Sequence, residues 1–137
     1  MTQEQKELLI NDLCARLPYG VWIERKLKSC KFGAKCMLNA HDISAIEREQ
    51  CEFCKPYLFP LSSMTDELWD KEFMGCGITE FTRDSFKYGC ETLEFNNSNP
   101  NLSSMVRFIN KLIKNHFDIY GLIPMGLALD ATNLNIY

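Results

Sequence analysis

Asn99-Pro-Asn-Leu-Ser-Ser-Met-Val-Arg-Phe-Ile-Asn-Lys-Leu-Ile-Lys-Asn-His116 is the stretch that decides the fold. Leu102, Met105, Val106, Ile109, Leu112, Ile113 and His116 recur at spacings of three and four, so one helical face is apolar. Pro100 suits the first helical position, where its fixed φ fits and its missing N–H has no intrahelical partner. Behind the helix, Gly121-Leu-Ile-Pro-Met-Gly-Leu-Ala-Leu-Asp130 carries too many large apolar groups for a free end. The tail is expected to pack against the last helix and the first helix, with Phe117 as a hinge-side anchor and with Gly121 and Gly126 reversing the chain.

Working outward to the start of the chain, Gln3–Arg16 has the pattern of a helix. Thr2 and Gln5 have the spacing of a capping box. Leu9, Ile10, Leu13, Cys14 and Leu17 form the apolar stripe, which places Cys14 in the core. Pro18 and Gly20 stop the helix. Val21–Lys28 then alternates as a strand, Lys31-Phe-Gly33 turns, and Ala34–Leu38 returns. Ile43–Glu49 is either a third strand or a helical turn capped by Asp42. Lys55-Pro-Tyr-Leu-Phe-Pro-Leu61 has proline near both ends, which argues against a central strand and for an extended crossing over the sheet. Thr65 caps a short helix Asp66–Phe73, with Met64 placed to staple onto Trp69. Ile78–Thr82 and Phe86–Phe95 have the pattern of a hairpin, and a looser point falls at Gly75–Gly77.

These elements define an α+β fold. A small antiparallel β unit drawn from Val21–Glu49, open or closed into a barrel, is flanked by the N-terminal helix, the short middle helix and the long C-terminal helix Pro100–His116. All of it fits one domain spanning residues 1–137, long enough to bury about two thirds of its unfolded surface without a metal or disulfide.

Bulk composition narrows the function classes. Hydrophobic residues make up 46% and charged residues 24%, as in an ordinary globular chain. The net charge of −3 offers no basic footprint for nucleic acid. No run approaches the roughly 20 apolar residues of a membrane span. The polar, acidic opening Met1-Thr-Gln-Glu-Gln-Lys-Glu7 is unlike a secretory signal. A cytoplasmic location is expected, with the seven cysteines as free thiols.

Four blocks carry a family resemblance: Asp12-Leu-Cys-Ala-Arg-Leu-Pro-Tyr-Gly-Val21; Lys55-Pro-Tyr-Leu-Phe-Pro-Leu-Ser-Ser-Met-Thr65; Asn115-His-Phe-Asp118 with Gly121-Leu-Ile123; and Gly126-Leu-Ala-Leu-Asp-Ala-Thr132. Together they resemble small uncharacterised proteins encoded by phages and prophages of anaerobic gut bacteria. The chain departs from that pattern in its cysteine-rich segment Val21–Cys54 and in the apolar substitutions of Asp118–Gly126. The resemblance implies no activity. It implies an accessory protein acting in the cytoplasm of a host cell and binding a host protein there, such as a defence component.

Several constellations bear on chemistry. Cys51-Glu-Phe-Cys54, with Cys30, Cys36 and nearby His41, contains the ligand types of a tetrahedral zinc site. The five-residue gap between Cys30 and Cys36 exceeds the usual knuckle, so a zinc-binding module stands as an alternative and no metal or cofactor is expected. A redox role needs the Cys pair at a helix N-terminus, and Pro56 disfavours helix at Lys55. His116 with Asp118 invites acid–base chemistry, but His116 ends an apolar helix face, where capping is the ordinary role. Arg107, Lys111 and Lys114 form a basic stripe that supports a nucleic-acid or nucleotide-binding alternative. Trp22, Tyr57 and Trp69 are the aromatic candidates for a partner-binding surface. No phosphate-binding glycine loop, Gly-x-Ser-x-Gly or His-Glu-x-x-His pattern is present. The expectation is a non-enzymatic protein that binds a host protein, using Trp22, Tyr57, Trp69, Arg107, Lys111 and Lys114.

Overall fold

The structure is a computed structural model that describes residues 1–73 and 102–137. The sequence signals at Gly75–Gly77, Ile78–Thr82, Phe86–Phe95 and Asn99–Pro100 lie outside those residues. The chain divides into two compact units, Met1–Leu58 with Tyr120–Tyr137, and Phe59–Ile119. The fold class is α+β.

The first unit opens with α1 (Gln3–Arg16), where the Thr2–Gln5 capping box is formed on both sides. Its inner face is Leu9, Asp12, Leu13 and Arg16. Cys14 is exposed, contrary to the stripe read from the sequence. The cause is a buried ion pair. Asp12 and Arg16 lie one helical turn apart and take the interior positions, with Arg16 Nε donating to Asp12 Oδ2 at 2.7 Å and Nη2 to Oδ1 at 2.8 Å. That rotates the helix and turns Cys14 outward.

β1 (Trp22–Leu27) pairs antiparallel with β2 (Ala34–Met37). Ile43–Glu49 is no strand: α2 spans Ala40–Glu47. Asn39 accepts from the N–H groups of His41 and Asp42, and Asp42 accepts from the Asn39 N–H at 2.9 Å. This reciprocal cap turns Ile43, Ala45 and Ile46 inward. The helix closes with Glu49 at φ 57°, its N–H bonded to Ile46 O and that of Gln50 to Ala45 O. Those two bonds are a Schellman closure.

The next strand, β3 (Cys51–Leu58), overturns the reading of Lys55–Leu61 as a crossing outside the ladder. The sheet order is β2-β1-β3-β4, with β4 being Leu129–Asp130. Proline is tolerated because Ile23 and Pro56 face one another. Pro56 must then sit at a non-hydrogen-bonded position, with its nitrogen turned away from β1. Leu58, of the same parity, offers its carbonyl to the Ala131 N–H, so that flank is the β4 side. β4 pairs only with Tyr57 and Leu58, and no ladder donor is required of Pro56. β3 and β4 run parallel, so the sheet is mixed where a wholly antiparallel one was expected, and it is open and not closed into a barrel.

The core of this unit joins Leu9 and Leu13 of α1, Val21, Ile23, Leu38, Ile46 and Leu58 to Leu122 and Ala128 of the tail. The tail therefore packs with the first helix, as its composition requires. Gly121 at φ 70° and Gly126 at φ 72° supply the left-handed turns.

In the second unit Thr65 caps α3 (Asp66–Leu68), which widens into a π-helical turn over Trp69–Phe73. The last helix, α4, is Leu102–Lys114. Met64, Phe73, Phe108, Leu112 and Phe117 form the core. Phe108, absent from the apolar stripe read in the sequence, is 1% exposed, while Leu102 and Val106 face solvent. α4 ends short of His116, which adopts φ 62°. His116 N–H bonds Ile113 O and Phe117 N–H bonds Leu112 O, the same Schellman closure as in α2. Phe117 is thereby tied to the end of α4 by its N–H and buried in the core of this unit.

A candidate binding surface on the sheet

Strand alternation sorts the sheet into two faces. Ile23, Cys36, Cys54, Pro56 and Leu58 turn to the core side. Trp22, Glu24, Lys35, Met37, Lys55 and Tyr57 share the other face, because directly opposed residues of an antiparallel pair lie on one side. At the centre Glu24 faces Lys35 on β2 and Lys55 on β3.

Lys35 Nζ lies 5.5 Å from the Trp22 ring centroid and 5.1 Å from that of Tyr57. One ammonium thus sits against two aromatic faces, within the range of cation–π attraction. Tyr57 Oη donates to Glu24 Oε2 at 3.4 Å. Burial, and then the neighbouring Glu24 carboxylate, push the Tyr57 hydroxyl up from its ordinary value. Lys35 therefore contacts both half-exposed rings, and Glu24 holds the Tyr57 hydroxyl.

Tyr137 closes one end of this face. Its hydroxyl accepts from the Trp22 N–H at 3.1 Å and donates to the Tyr57 carbonyl at 2.7 Å. The side chain occupies the rung that would follow Ile23–Pro56 in the β1–β3 ladder. Burial raises its hydroxyl to about 12, against the Trp22 hydrogen bond and the Arg16 charge, which act in the other direction. Met37, opposite Trp22, is 42% exposed and extends the apolar area.

The other residues singled out in the sequence fall elsewhere. Trp69 belongs to the core cluster of the second unit, stacked on Phe73 at 5.4 Å and edge-on to Phe108. It is half-buried against that cluster and lies in the other unit from Trp22 and Tyr57. Lys111 donates to the Glu72 carbonyl, so only Arg107 and Lys114 of the basic stripe face solvent. His116 and Asp118 are buried beside the Phe59–Phe117 bridge, where His116 O accepts from Phe59 N–H at 2.9 Å.

Of the four cysteines of the zinc alternative, Cys36 and Cys51 lie close enough to Cys54 to act on it electrostatically, and Cys30 is exposed. Burial, then Cys51 and Cys36, push the Cys54 thiol up to about 12, with Arg25 opposing. Cys51 is also raised by burial. Such thiols stay protonated at neutral pH, unlike an activated thiolate nucleophile. Among the described residues no group of three or more His, Cys, Asp or Glu side chains is arranged to hold a metal ion. Nor is any helix among them long and apolar enough to cross a membrane.

Sequence reasoning missed Glu24, Lys35 and Tyr137. The first two were within reach, since pairing β1 with β2 across the Gly33 turn sets Glu24 against Lys35. Nothing in the sequence pointed to Tyr137. Comparison with known proteins returned no matching family model, curated protein or solved structure.

Proposed function

We propose that this chain is a non-enzymatic binding protein whose partner is another protein, engaged through Trp22, Lys35, Met37 and Tyr57 on the solvent face of the sheet. The observation that carries this is the pair of half-exposed rings held by one lysine. Tryptophan and tyrosine are enriched among the residues that dominate protein interfaces, and rigid rings lose little entropy on binding. The family resemblance supplies the setting: a phage or prophage accessory protein in the host cytoplasm, modulating a host protein such as a defence component.

Single-stranded nucleic acid is the second reading, because rings flanked by lysines also stack bases. The Glu24 carboxylate at the centre of the face and the net charge of −3 weigh against it. A photo-crosslinking residue placed at Met37 in host cells tests the proposal. It is expected to trap one protein, and the same residue placed at the exposed Asn133 is expected not to. A labelled oligonucleotide that binds the purified chain and is displaced by salt would favour the second reading.

A further inference from the structure

Lys35 stands directly opposite Glu24 of β1, where an opposite-charge cross-strand pair is favourable. Its ammonium instead lies over two rings, 5.5 Å from the Trp22 centroid and 5.1 Å from that of Tyr57. Among the described residues no ion pair includes Lys35 or Glu24. Trp22 and Tyr57 are neighbours across the β1–β3 boundary, since the one Tyr137 hydroxyl bonds the backbone of both. The Glu24 carboxylate accepts from the Tyr57 hydroxyl at 3.4 Å and sets a negative charge beside the electron-rich ring faces. Lys55, opposite Glu24 on β3, works against a cation here. The Lys35 ammonium takes the position with Lys55 in place, so this point attracts a cation as the face stands.

The resident ammonium belongs to an exposed side chain on a flexible stem, so it is a removable occupant. A primary ammonium is compact and strongly hydrated, and an external one has no advantage over the tethered lysine. Methylation keeps the charge but spreads it over a larger, less hydrated surface, which leaves water at lower cost and packs on both rings. We infer that Trp22, Tyr57 and Glu24 form a binding site for a quaternary methylammonium group, which displaces the Lys35 ammonium from the two rings. The inference deepens the protein-binding reading of this face and rests on it only for the source of the cation, a trimethylated lysine of the partner. A free choline-like amine offers the same chemistry.

Titration of the full chain followed by nuclear magnetic resonance at the Tyr57 backbone amide tests it. The probes are blocked trimethyllysine, its neutral tert-butyl isostere, blocked unmethylated lysine, and choline. Saturable binding of trimethyllysine and none of the neutral isostere is expected. Lys35→Ala removes the competing ammonium and should tighten trimethyllysine binding about two- to fivefold. Glu24→Gln should weaken it and Trp22→Ala should abolish it, with thermal melts establishing that all three variants fold. Choline bound as tightly as trimethyllysine supports the site with a free amine as its ligand, and tighter trimethyllysine supports it with a modified side chain. Equal binding of the neutral isostere or of unmethylated lysine would overturn the inference, as would unchanged or weaker binding in folded Lys35→Ala. If trimethyllysine binds while Trp22→Ala leaves the affinity of the partner trapped from Met37 untouched, the site stands and the protein-binding reading falls. If no probe binds although that partner requires Trp22, the inference falls and the reading stands.

Discussion

Replacing Arg16 with methionine isolates the largest single electrostatic commitment in the first unit. Arg16 and Asp12 are both fully buried, and two hydrogen bonds of 2.7 and 2.8 Å join them in a bidentate pair. Removing the guanidinium leaves the Asp12 carboxylate without its main counter-charge in the interior. Breaking a buried pair in this way costs about 3–5 kcal/mol. Against a total stability of roughly 5–15 kcal/mol, that is a large fraction. For a chain of this size it corresponds to a fall in melting temperature of roughly 6–20 °C. The double replacement Asp12→Leu with Arg16→Met leaves no orphaned charge, and it should lie closer to the wild type than either single variant. Urea unfolding followed by circular dichroism gives all four corners of the cycle. The reasoning fails if Arg16→Met costs under about 1 kcal/mol, or if the two single costs simply add, since an interacting pair must show coupling.

Three further outcomes are expected. The fold keeps Cys54 and Tyr137 protonated to about pH 12, whereas the unfolded chain releases those protons from 9.0 and 10.0 respectively. The unfolded state therefore binds fewer protons across that interval, and stability present below pH 9 should be lost as pH rises towards 12. Melting curves of wild type and Tyr137→Phe should show a shallower alkaline decline in the variant. Glu49→Gly relieves a left-handed residue at the end of α2, and should raise stability by a few tenths to about 1 kcal/mol even though the exposed pair with Lys6 is lost; a lower urea midpoint would contradict the strain assignment. Deleting Gly121–Tyr137 removes the fully buried Leu122 and Ala131 along with β4, and cooperative unfolding should disappear. If the truncated chain keeps its melting temperature, the tail contributes nothing to the core.

The sequence made the elements legible where local chemistry and packing agree. Thr2, Gln5 and Thr65 announce helix starts through cap bonds that need nothing distant, and those caps are formed. The β1–β2 hairpin is also local. Errors arose where a long-range partner decides. Asp12 and Arg16 can occupy the interior only because each neutralises the other, so a stripe that counts apolar residues alone set Cys14 inside and left this pair out. Phe108 displaced Leu102 and Val106 from the inner face of α4 by fitting against Phe73 at 5.4 Å, a contact between residues far apart in sequence. Pro56 is compatible with an interior strand only because β4 is two residues long and begins beyond it. The binding face was half visible. Trp22 and Tyr57 were identified as aromatics, but the lysine between them depends on strand register, and the Tyr137 hydroxyl depends on where the tail returns.

The most direct test of the central claim is the dissociation constant of the partner trapped from Met37, measured with purified wild type and with Trp22→Ala. Trp22 is placed as an anchor of the interface, so its truncation should weaken binding by about 2 kcal/mol or more, roughly thirtyfold, with the fold retained. Arg107→Glu with Lys114→Glu should leave the constant unchanged. An affinity untouched by Trp22→Ala, or lost only with the α4 charges, would place recognition elsewhere and contradict the account.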